Sequence, residues 1–370
     1  MHVLYVKNIR GTAKDIAEPQ IVGHYSCDGE AQYRNDLSQL KYYKAPEDLS
    51  DVNFDLDANE GTVYKPWYEN KKIDFLLKWL SENFDRLKIQ DVERPRRWLK
   101  PEVICMRGLL TTLLVTPYEE TDGWIICASK FRGTIYLCHF DTDVVERRKS
   151  KPPNSYHRIN TARGHKFEQY LVSDEPSTDP DLSVPLNENE EFCGVFESKI
   201  NNISLLYVAE IDGICSQEPI QNTLEGKNVE LIELKSIPHS MVSSTGEIKS
   251  GRAFITLKWW CQSYLVGIRR IICGCKTDGL VKKMKEYKLD EIKHSLRNYS
   301  TERCLGFCNK FLEIVTDIVR KDHRRCLYKF TFYPVDQTIR VQEVPPNPDS
   351  KYHFLHSSYI DRARRHSPDL

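Results

Sequence analysis

The sequence predicts an α+β fold in a single domain, and three observations support this prediction. Apolar runs of strand length, rich in Val, Ile and Tyr, recur through the middle of the chain. Longer segments with apolar residues at helical spacing lie before, between and after these runs. No stretch of linker composition divides the 370 residues, a length that one large domain can hold. We therefore expect one domain spanning residues 1–370, with a C-terminal tail at about residues 344–370.

The first elements are an irregular start, a helix and a group of strands. Residues 1–60 are polar with short aromatic clusters and predict no regular structure. From Lys71 to Phe84 apolar residues recur at intervals of three and four, which predicts an amphipathic helix. Residues 102–140 contain apolar runs separated by turn residues such as Gly133, which predicts strands.

The next segment is predicted to be mostly loop. Residues 143–160 are strongly basic and predict a solvated loop. Residues 173–191 are acidic and contain prolines, which predicts a second loop. Between the two loops we expect a short helix from Gly164 to Val172.

The second half of the chain combines strands and helices. Apolar runs predict strands at residues 192–198, 203–212 and 229–236 and from Arg269 to Cys275. Apolar stripes predict helices from Phe254 to Leu265 and from Glu302 to Arg320. The last thirty residues, with their prolines and arginines, predict a loop and a tail.

Composition excludes several classes of protein. Lys plus Arg and Asp plus Glu both total 53, so a nucleic acid would have to be held by a local basic groove. The sequence has no apolar run long enough for a transmembrane helix and no secretory signal at its start, so we expect neither membrane insertion nor secretion. The twelve cysteines are expected to be reduced core thiols rather than zinc ligands.

Charged residues interrupt two of the predicted strands. Glu210 and Asp212 follow an apolar run, and Glu233 and Lys235 lie within the next one. Burying a charge is unfavourable, so this pattern suggests a site where the charges compensate one another. Residues two apart share a face of a strand, so neighbouring strands would bring three carboxylates and one ammonium together. Glu168, on the predicted short helix, could complete the cluster.

A cluster of this kind suits a metal-dependent phosphodiesterase. Mg²⁺ (or Mn²⁺) prefers oxygen ligands. Two such ions about 3.5–4 Å apart activate a water and stabilise the leaving oxygen. Lys235 could orient that water or hold the scissile phosphate. Lys258 and Gln262 lie one helical turn apart and could both touch the phosphate backbone.

Simpler interpretations remain open at this point. Glu-x-Lys on a strand is commonly a solvated face, and Glu210-x-Asp212 can also be structural. Arg107 lies in an apolar segment and is either a buried ion paired to a core carboxylate or a bidentate phosphate ligand. The sequence has neither a P-loop pattern nor a Gly-x-Ser-x-Gly elbow, so we expect neither of those enzyme classes.

An ordered set of short motifs resembles the decapping and exoribonuclease family, which includes the fungal partner of the nuclear 5′–3′ exonuclease. The motifs are Met106-Arg107-Gly108, Thr116-Pro117-Tyr118-Glu119, Gly164-His165-Lys166-Phe167-Glu168-Gln169-Tyr170, Glu191-Phe192-Cys193, Ala209-Glu210-Ile211-Asp212, Ile232-Glu233-Leu234-Lys235 and Leu257-Lys258-Trp259-Trp260-Cys261-Gln262-Ser263. They occur in the family's order at close to its spacing, over roughly residues 100–275, which we expect to be the catalytic core.

The resemblance implies a fold and a set of metal ligands. The family's fold is a mixed α/β domain with two β-sheets flanked by helices and an active site like that of PD-(D/E)XK nucleases. Glu168, Asp212 and Glu233 match metal ligands, together with the backbone carbonyl of Leu234. Glu210 matches a position near both metal and substrate.

Further roles follow from the same resemblance. Lys235 and Gln262 match positions at the scissile phosphate and the attacking water, so with Glu210 they are the expected catalytic residues. The Met106-Arg107-Gly108 segment and Cys193 match positions that contact the substrate.

The activity that the resemblance implies is hydrolysis at RNA 5′ ends. Family members are Mg²⁺-dependent and remove incomplete caps, NAD-type caps or a 5′ triphosphate, and some have 5′–3′ exoribonuclease activity. The resemblance also implies the nucleus, with the cytoplasm as a second location, and a nuclear 5′–3′ exoribonuclease as partner. We also expect a monomer. The alternatives are a catalytically silent RNA-binding partner that stimulates a 5′–3′ exonuclease, and a DNA nuclease of the same class.

Overall fold

The described residues form two β-sheets flanked by helices. The structure is a computed structural model, and it describes residues 2–58, 60–65, 72–90, 97–150, 155–243, 247–249 and 252–367, with backbone only at 149, 150 and 155–157. The predicted α+β fold class with two sheets is confirmed.

The strands are β1 (His2–Tyr5), β2 (Gln20–Cys27), β3 (Tyr33–Arg34), β4 (Tyr42–Tyr43), β5 (Phe54–Asp55), β6 (Val103–Met106), β7 (Trp124–Phe131), β8 (Thr134–Phe140), β9 (Val172–Ser173), β10 (Glu191–Ile200), β11 (Ile203–Glu210), β12 (Gly213–Cys215), β13 (Glu230–Pro238), β14 (Arg270–Thr277), β15 (Leu280–Lys288), β16 (Leu327–Tyr333) and β17 (Thr338–Val344).

The helices are α1 (Asp74–Glu82), α2 (Phe84–Leu87), α3 (Arg107–Val115), α4 (Asp143–Ser150), α5 (Ser155–Gln169), α6 (Ala253–Tyr264), α7 (Leu289–Ser295), α8 (Thr301–Ile318) and α9 (Ser357–His366). In the described part of the chain, none of the helices has the length and apolar character needed to cross a membrane.

Each sheet contains both parallel and antiparallel strand pairs. Over the described residues, sheet 1 has ten strands in the order β1-β17-β16-β7-β8-β6-β11-β10-β2-β3, and sheet 2 has seven in the order β5-β15-β14-β13-β12-β4-β9. In sheet 1, β6 runs parallel to both β8 and β11. In sheet 2, β13 runs antiparallel to β12 and parallel to β14. Because β6, β8 and β11 are parallel, their carboxyl ends meet at one edge of sheet 1.

Three apolar clusters hold the layers together. The largest one joins a face of each sheet through α3, α6 and α8. The second packs α1 and α9 on the opposite face of sheet 1. The third packs α5 on the opposite face of sheet 2. Both sheets contribute to the largest cluster, and the single domain stays a prediction.

Most of the predicted long elements are present. The helix predicted from Glu302 to Arg320 is α8, and its start is fixed by the Ser300 hydroxyl, which accepts a hydrogen bond from the Arg303 N–H at 3.1 Å. The helix predicted from Phe254 to Leu265 is α6. The helix predicted from Lys71 is α1, although Lys71 itself lies outside the described residues.

One predicted loop and the bounds of one predicted helix are wrong. Residues 143–160 hold α4 and the start of α5. The Thr142 hydroxyl accepts from the Val145 N–H at 3.4 Å, and Asp143 and Glu146 lie in the first turn of α4, where the helix dipole favours negative charge. The many basic residues of this segment favoured the loop prediction over these start signals. For the same reason the helix predicted from Gly164 starts too late, since α5 begins at Ser155.

The start and end of the chain are more regular than predicted. Residues 1–60 contain β2, an eight-residue strand beside β10. Gly23 interrupts its apolar pattern because the Trp79 indole packs there, 2.3 Å from where a Cβ would lie. The predicted tail contains α9, which is held to the core by the Arg132 guanidinium donating to the Ala363 and Ser367 carbonyls at 3.0 and 2.7 Å.

Close packing at Gly274 positions α5 against sheet 2. Phe167, on α5, is fully buried among Ile232, Leu234 and Ile272. A Cβ at Gly274 would lie 2.4 Å from the Phe167 ring. The glycine therefore lets α5, which carries Glu168, lie directly on β13 and β14.

We expect Gly274→Ala to destabilise the protein by roughly 1–3 kcal/mol, because the added methyl overpacks the contact with Phe167. Gly164→Ala is the matched control on α5, since a Cβ at that position would meet nothing within 4 Å. That substitution should raise stability by about 0.5–1 kcal/mol through its helix propensity. Urea unfolding of both variants measures the difference, and equal effects of the two substitutions would contradict this account.

Candidate active site

The candidate site lies where the chain passes from one sheet to the other. β11 ends at Glu210 in sheet 1, and β12 begins at Gly213 in sheet 2. Ile211 and Asp212 form the crossing, and the Ile211 N–H donates to the Phe192 carbonyl at 2.9 Å. The predicted strand 203–212 is therefore two residues too long. Glu210 and Asp212 do not share a strand face, but the crossing brings Asp212 to β13, and both residues line one cavity.

A buried ion cluster centres on Glu233. Its side chain is 3% exposed, and its two oxygens contact Lys235 Nζ and, at 3.7 Å, Arg107 Nη1. Burial opposes ionisation of Glu233, but the charges of Lys235 and then Arg107 outweigh burial and lower its pKa. Burial also opposes the charge on Lys235, yet Glu233 and Asp212 raise the Lys235 pKa above its usual value.

The position of Arg107 is compatible with both roles that the sequence left open, a buried structural ion and a phosphate ligand. It is the first residue of α3, directly after β6, and its ion pair with Glu233 is that of a buried structural arginine. Its Nη1 atom nevertheless has no hydrogen-bond partner in the described structure. Since the first N–H groups of a helix also lack partners within the helix, an anion could bind there.

The other carboxylates of the site lie close enough to repel one another. Asp212 Oδ2 accepts a hydrogen bond from the Leu234 N–H at 2.7 Å. Burial, and then the Glu233 charge, raise the Asp212 pKa well above its usual value. Enclosure by the surrounding protein, followed by the charges of Glu191 and Glu168, raises the pKa of Glu210 above its usual value, although the residue itself stays exposed to solvent. Repulsion between carboxylates thus adds to burial in both shifts, while Lys235 acts against the shift of Asp212 and His165 against that of Glu210.

Glu168 reaches the site from α5, accompanied by a histidine. His165 Nδ1 lies 3.3 Å from Glu168 Oε2. The hydrogen bond to Glu168 raises the pKa of His165 to about 9 despite burial. Sequence reasoning gave His165 no role, although its spacing three residues before Glu168 on a helix signals such a pair.

Two adjoining cavities share Glu210. One, of about 630 Å³, is lined by His165, Glu168 and Asp212 in addition to Glu210. The other, of about 350 Å³, is lined by Met106, Arg107, Gly108 and Glu210. The predicted metal ligands and the predicted Met106-Arg107-Gly108 contacts therefore lie on opposite sides of one carboxylate.

Cys193 lies on the strand next to the one that ends at Glu210. On β10 it pairs with Glu210 of β11 and with Tyr25 of β2. Its side chain is 4% exposed. Burial, and after it contact with Cys193, raise the Tyr25 pKa well above its usual value. A direct contact between Cys193 and the substrate stays a prediction.

Gln262 and Lys258 lie on α6, which packs against α3. Gln262 is half-buried. Lys258 Nζ lies 3.5 Å from the buried Glu119 carboxylate and 4.6 Å from the centre of the Phe254 ring. Lys258 is thus engaged with protein groups, whereas the role of Gln262 at the attacking water stays a prediction.

The donor groups suit a hard divalent cation. Among the residues that the structure describes, no three His, Cys, Asp or Glu side chains are already arranged around one ion position. The carboxylates of Glu168, Glu210 and Asp212 are nevertheless the oxygen ligands that Mg²⁺ and Mn²⁺ prefer. After burial, repulsion from Glu233 on Asp212 and from Glu191 and Glu168 on Glu210 raises these pKa values, and a cation would offset that repulsion. We conclude that the residues fit a divalent ion once their side chains reorient.

Known proteins resemble this chain in sequence. The profile of the family described as RAI1 like PD-(D/E)XK nuclease matches residues 17–360. The decapping and exoribonuclease protein of Bos taurus is 32% identical over 359 residues, covering 95% of this chain and 86% of the relative. The protein of the same name from Homo sapiens is 32% identical over 360 residues, with the same shares covered.

Solved structures resemble it in fold. Scheffersomyces stipitis Rai1 in complex with (3′-NADP)+ and calcium ion has a TM-score of 0.80 at 20% identity, covering 99% of this chain and 100% of that chain. Candida albicans Rai1 in complex with pU5-Mn2+ has a TM-score of 0.80 at 19% identity, covering 98% and 99%. The match to the family profile spans most of the chain, so this protein belongs to the RAI1-like PD-(D/E)XK nuclease family.

Proposed function

We propose that this chain is a divalent-metal-dependent hydrolase of RNA 5′ ends. It removes incomplete caps, NAD-type caps or a 5′ triphosphate and digests the RNA from its 5′ end. The observation that carries the proposal is the meeting of Asp212, Glu233 and Lys235 at the crossing between the sheets, with Glu210 lining the same cavity as Asp212. The names of the relatives, decapping and exoribonuclease protein, support this substrate class.

The proposed cofactor is a pair of Mg²⁺ or Mn²⁺ ions. Glu168, Glu210, Asp212, Glu233 and the Leu234 carbonyl would hold them. The crowded carboxylates support a cation at this place, and two similar structures contain calcium or manganese. When bound, the ions supply positive charge that activates the attacking water and stabilises the leaving oxygen.

The protein groups around the carboxylates have separate roles. Lys235, whose raised pKa keeps it protonated, places a fixed positive charge beside the reacting phosphate. Gln262 orients the attacking water. Arg107 and the N–H groups at the start of α3 bind phosphate oxygens in the smaller cavity. The smaller cavity therefore accepts the anionic RNA backbone.

The cellular context is also proposed from the family. The protein acts as a monomer in RNA quality control, in the nucleus and also in the cytoplasm, with a nuclear 5′–3′ exoribonuclease as a partner. One structural neighbour is in complex with pU5-Mn2+ and another with (3′-NADP)+ and calcium ion. These ligands favour an RNA 5′ end as the ligand of this chain.

Purified protein with Mg²⁺ should release the 5′ group from RNAs bearing a triphosphate, an unmethylated cap or NAD, and should shorten monophosphate RNA. Product identification on 5′-labelled RNA measures both reactions. Glu233→Gln should abolish both together, because one centre serves both. A protein that binds these RNAs but cleaves none would instead be the silent partner of an exonuclease, and cleavage of a DNA series at equal rate would indicate a DNA nuclease.

Asp212→Asn and Glu233→Gln should both abolish turnover but change stability in opposite directions. Without metal, Asp212→Asn should leave the melting temperature unchanged or higher, because a carboxylate whose ionisation is opposed by burial and by Glu233 is removed. Glu233→Gln should destabilise the protein by roughly 3 kcal/mol, because Lys235 and Arg107 lose their shared partner.

Thermal unfolding in EDTA and then in Mn²⁺ measures the two effects. Mn²⁺ should raise the melting temperature of the wild type and should not raise that of Asp212→Asn. Full turnover by Asp212→Asn in Mg²⁺ would overturn its assignment as a ligand.

Arg107→Ala and Lys235→Ala should separate binding from chemistry. Arg107→Ala should mainly weaken RNA affinity measured in Ca²⁺, whereas Lys235→Ala should mainly lower the single-turnover rate. If Arg107 were only a structural ion, its removal would lower the melting temperature and leave RNA affinity unchanged. Wild-type single-turnover activity in Lys235→Ala would contradict its catalytic role.

A further inference from the structure

We propose that Tyr64 and Arg158 form a stacking platform for one nucleobase of the substrate, at the edge of the larger cavity. The proposal rests on the proposed function, because the base belongs to an RNA 5′ end. It deepens that function by naming a binding site for a base, whereas the groups described so far act on phosphate.

The Arg158 guanidinium already lies over the Tyr64 ring. The Arg158 guanidinium carbon lies 4.3 Å from the centre of the Tyr64 ring. Tyr64 is 38% exposed and Arg158 is also exposed. Two planar groups are therefore held in contact while part of their surface stays open to a third planar group.

Arg158 lies on the same face of α5 as two residues that line the larger cavity. His165 and Gln169 lie seven and eleven residues after Arg158, so all three share one stripe of the helix. His165 and Gln169 both line the larger cavity. Since a helix rises about 1.5 Å per residue, Arg158 lies about 10 Å along the axis from His165. The platform thus extends the wall that carries Glu168.

Hydrogen bonds hold the two neighbours of Tyr64 against residues 186–188. The Val63 N–H donates to the Leu186 carbonyl at 2.8 Å, and the Val63 carbonyl accepts from the Glu188 N–H at 3.0 Å. The Lys65 N–H donates to Glu188 Oε2 at 3.0 Å. The residues on both sides of Tyr64 are therefore attached to the segment that lines the cavity.

Lys65 strengthens this attachment. Its ammonium pairs with Glu191, which lines the larger cavity. Contacts within the protein thus hold the residues next to Tyr64, which would present the ring to a base as a preorganised surface.

The chemistry of the platform suits single-stranded RNA. Unpaired bases stack on aromatic rings and on arginine planes without sequence preference. Arg158 also adds a positive charge beside a cavity lined by Glu168, Glu191 and Glu210, where RNA phosphates would otherwise meet mainly carboxylates. Arg158 lies about 10 Å along α5 from His165, which is next to Glu168 in the site. A base on the platform would therefore lie within a few nucleotides of the reacting phosphate.

A second exposed pair offers a matched control. Arg340 stacks on Tyr333 at 4.4 Å, and Tyr333 is 37% exposed. This pair lies on β16 and β17, and β16 is four strands from β11 in sheet 1, which is about 19 Å at the usual strand spacing. Tyr333→Ala removes an equivalent ring at a place where the substrate base does not bind.

The experiment uses short RNAs with one abasic nucleotide at each of the first positions. RNA affinity is measured in Ca²⁺ and cleavage in Mg²⁺. The wild type should lose about tenfold in affinity when the stacked position is abasic. Tyr64→Ala should lose about tenfold on intact RNA and nothing further on that abasic RNA, whereas Tyr64→Phe and Tyr333→Ala should behave as the wild type.

RNAs with a 5′ monophosphate and with NAD distinguish the source of the base. A loss that persists with monophosphate RNA assigns the platform to an RNA base, and a loss confined to NAD-capped RNA assigns it to the base of the cap. Equal losses for Tyr64→Ala on intact and abasic RNA of both kinds would overturn the platform, as would an equal loss for Tyr333→Ala. Failure of the wild type to cleave any of these ends would instead refute the proposed function.

Discussion

The arrangement of the molecule depends on one buried carboxylate, Glu233. It joins Lys235 on the same strand of sheet 2 with Arg107, which follows a strand of sheet 1. A buried acid is tolerated only when its charge is compensated, so both cations must be present. The pairing therefore links the two sheets electrostatically at the place where the chain itself crosses between them. The candidate site and the junction of the sheets are the same structure.

The sequence predicted the members of this cluster because they break a simple rule. Charged residues in apolar strands are rare, and their spacing identified Glu210, Asp212, Glu233 and Lys235 before the fold was known. The sequence could not reveal that Asp212 lies on a crossing between sheets. An apolar run has the same period whether it stays in one sheet or leaves it, so the end of β11 at Glu210 was not predictable.

Other elements were missed because their stability comes from tertiary contacts. β2 contains Gly23, whose missing side chain leaves room for Trp79, so its pattern is not that of a strand by itself. The last helix is short and rich in arginine, and it is held by Arg132 and by buried Tyr359. Neither contact can be inferred from local sequence. His165 could have been found, since it lies one turn before Glu168 on a helix.

The crossing at Ile211 and Asp212 also makes the site sensitive to mechanical displacement. Glu210 lies on sheet 1 and Glu233 on sheet 2, and only two residues of chain separate β11 from β12 there. A shift of one sheet against the other is consequently transmitted to the carboxylate spacing with no flexible segment to absorb it. Any force that tilts the sheets, including one applied by a bound macromolecule far from the cavities, would act directly on the distance between those two side chains.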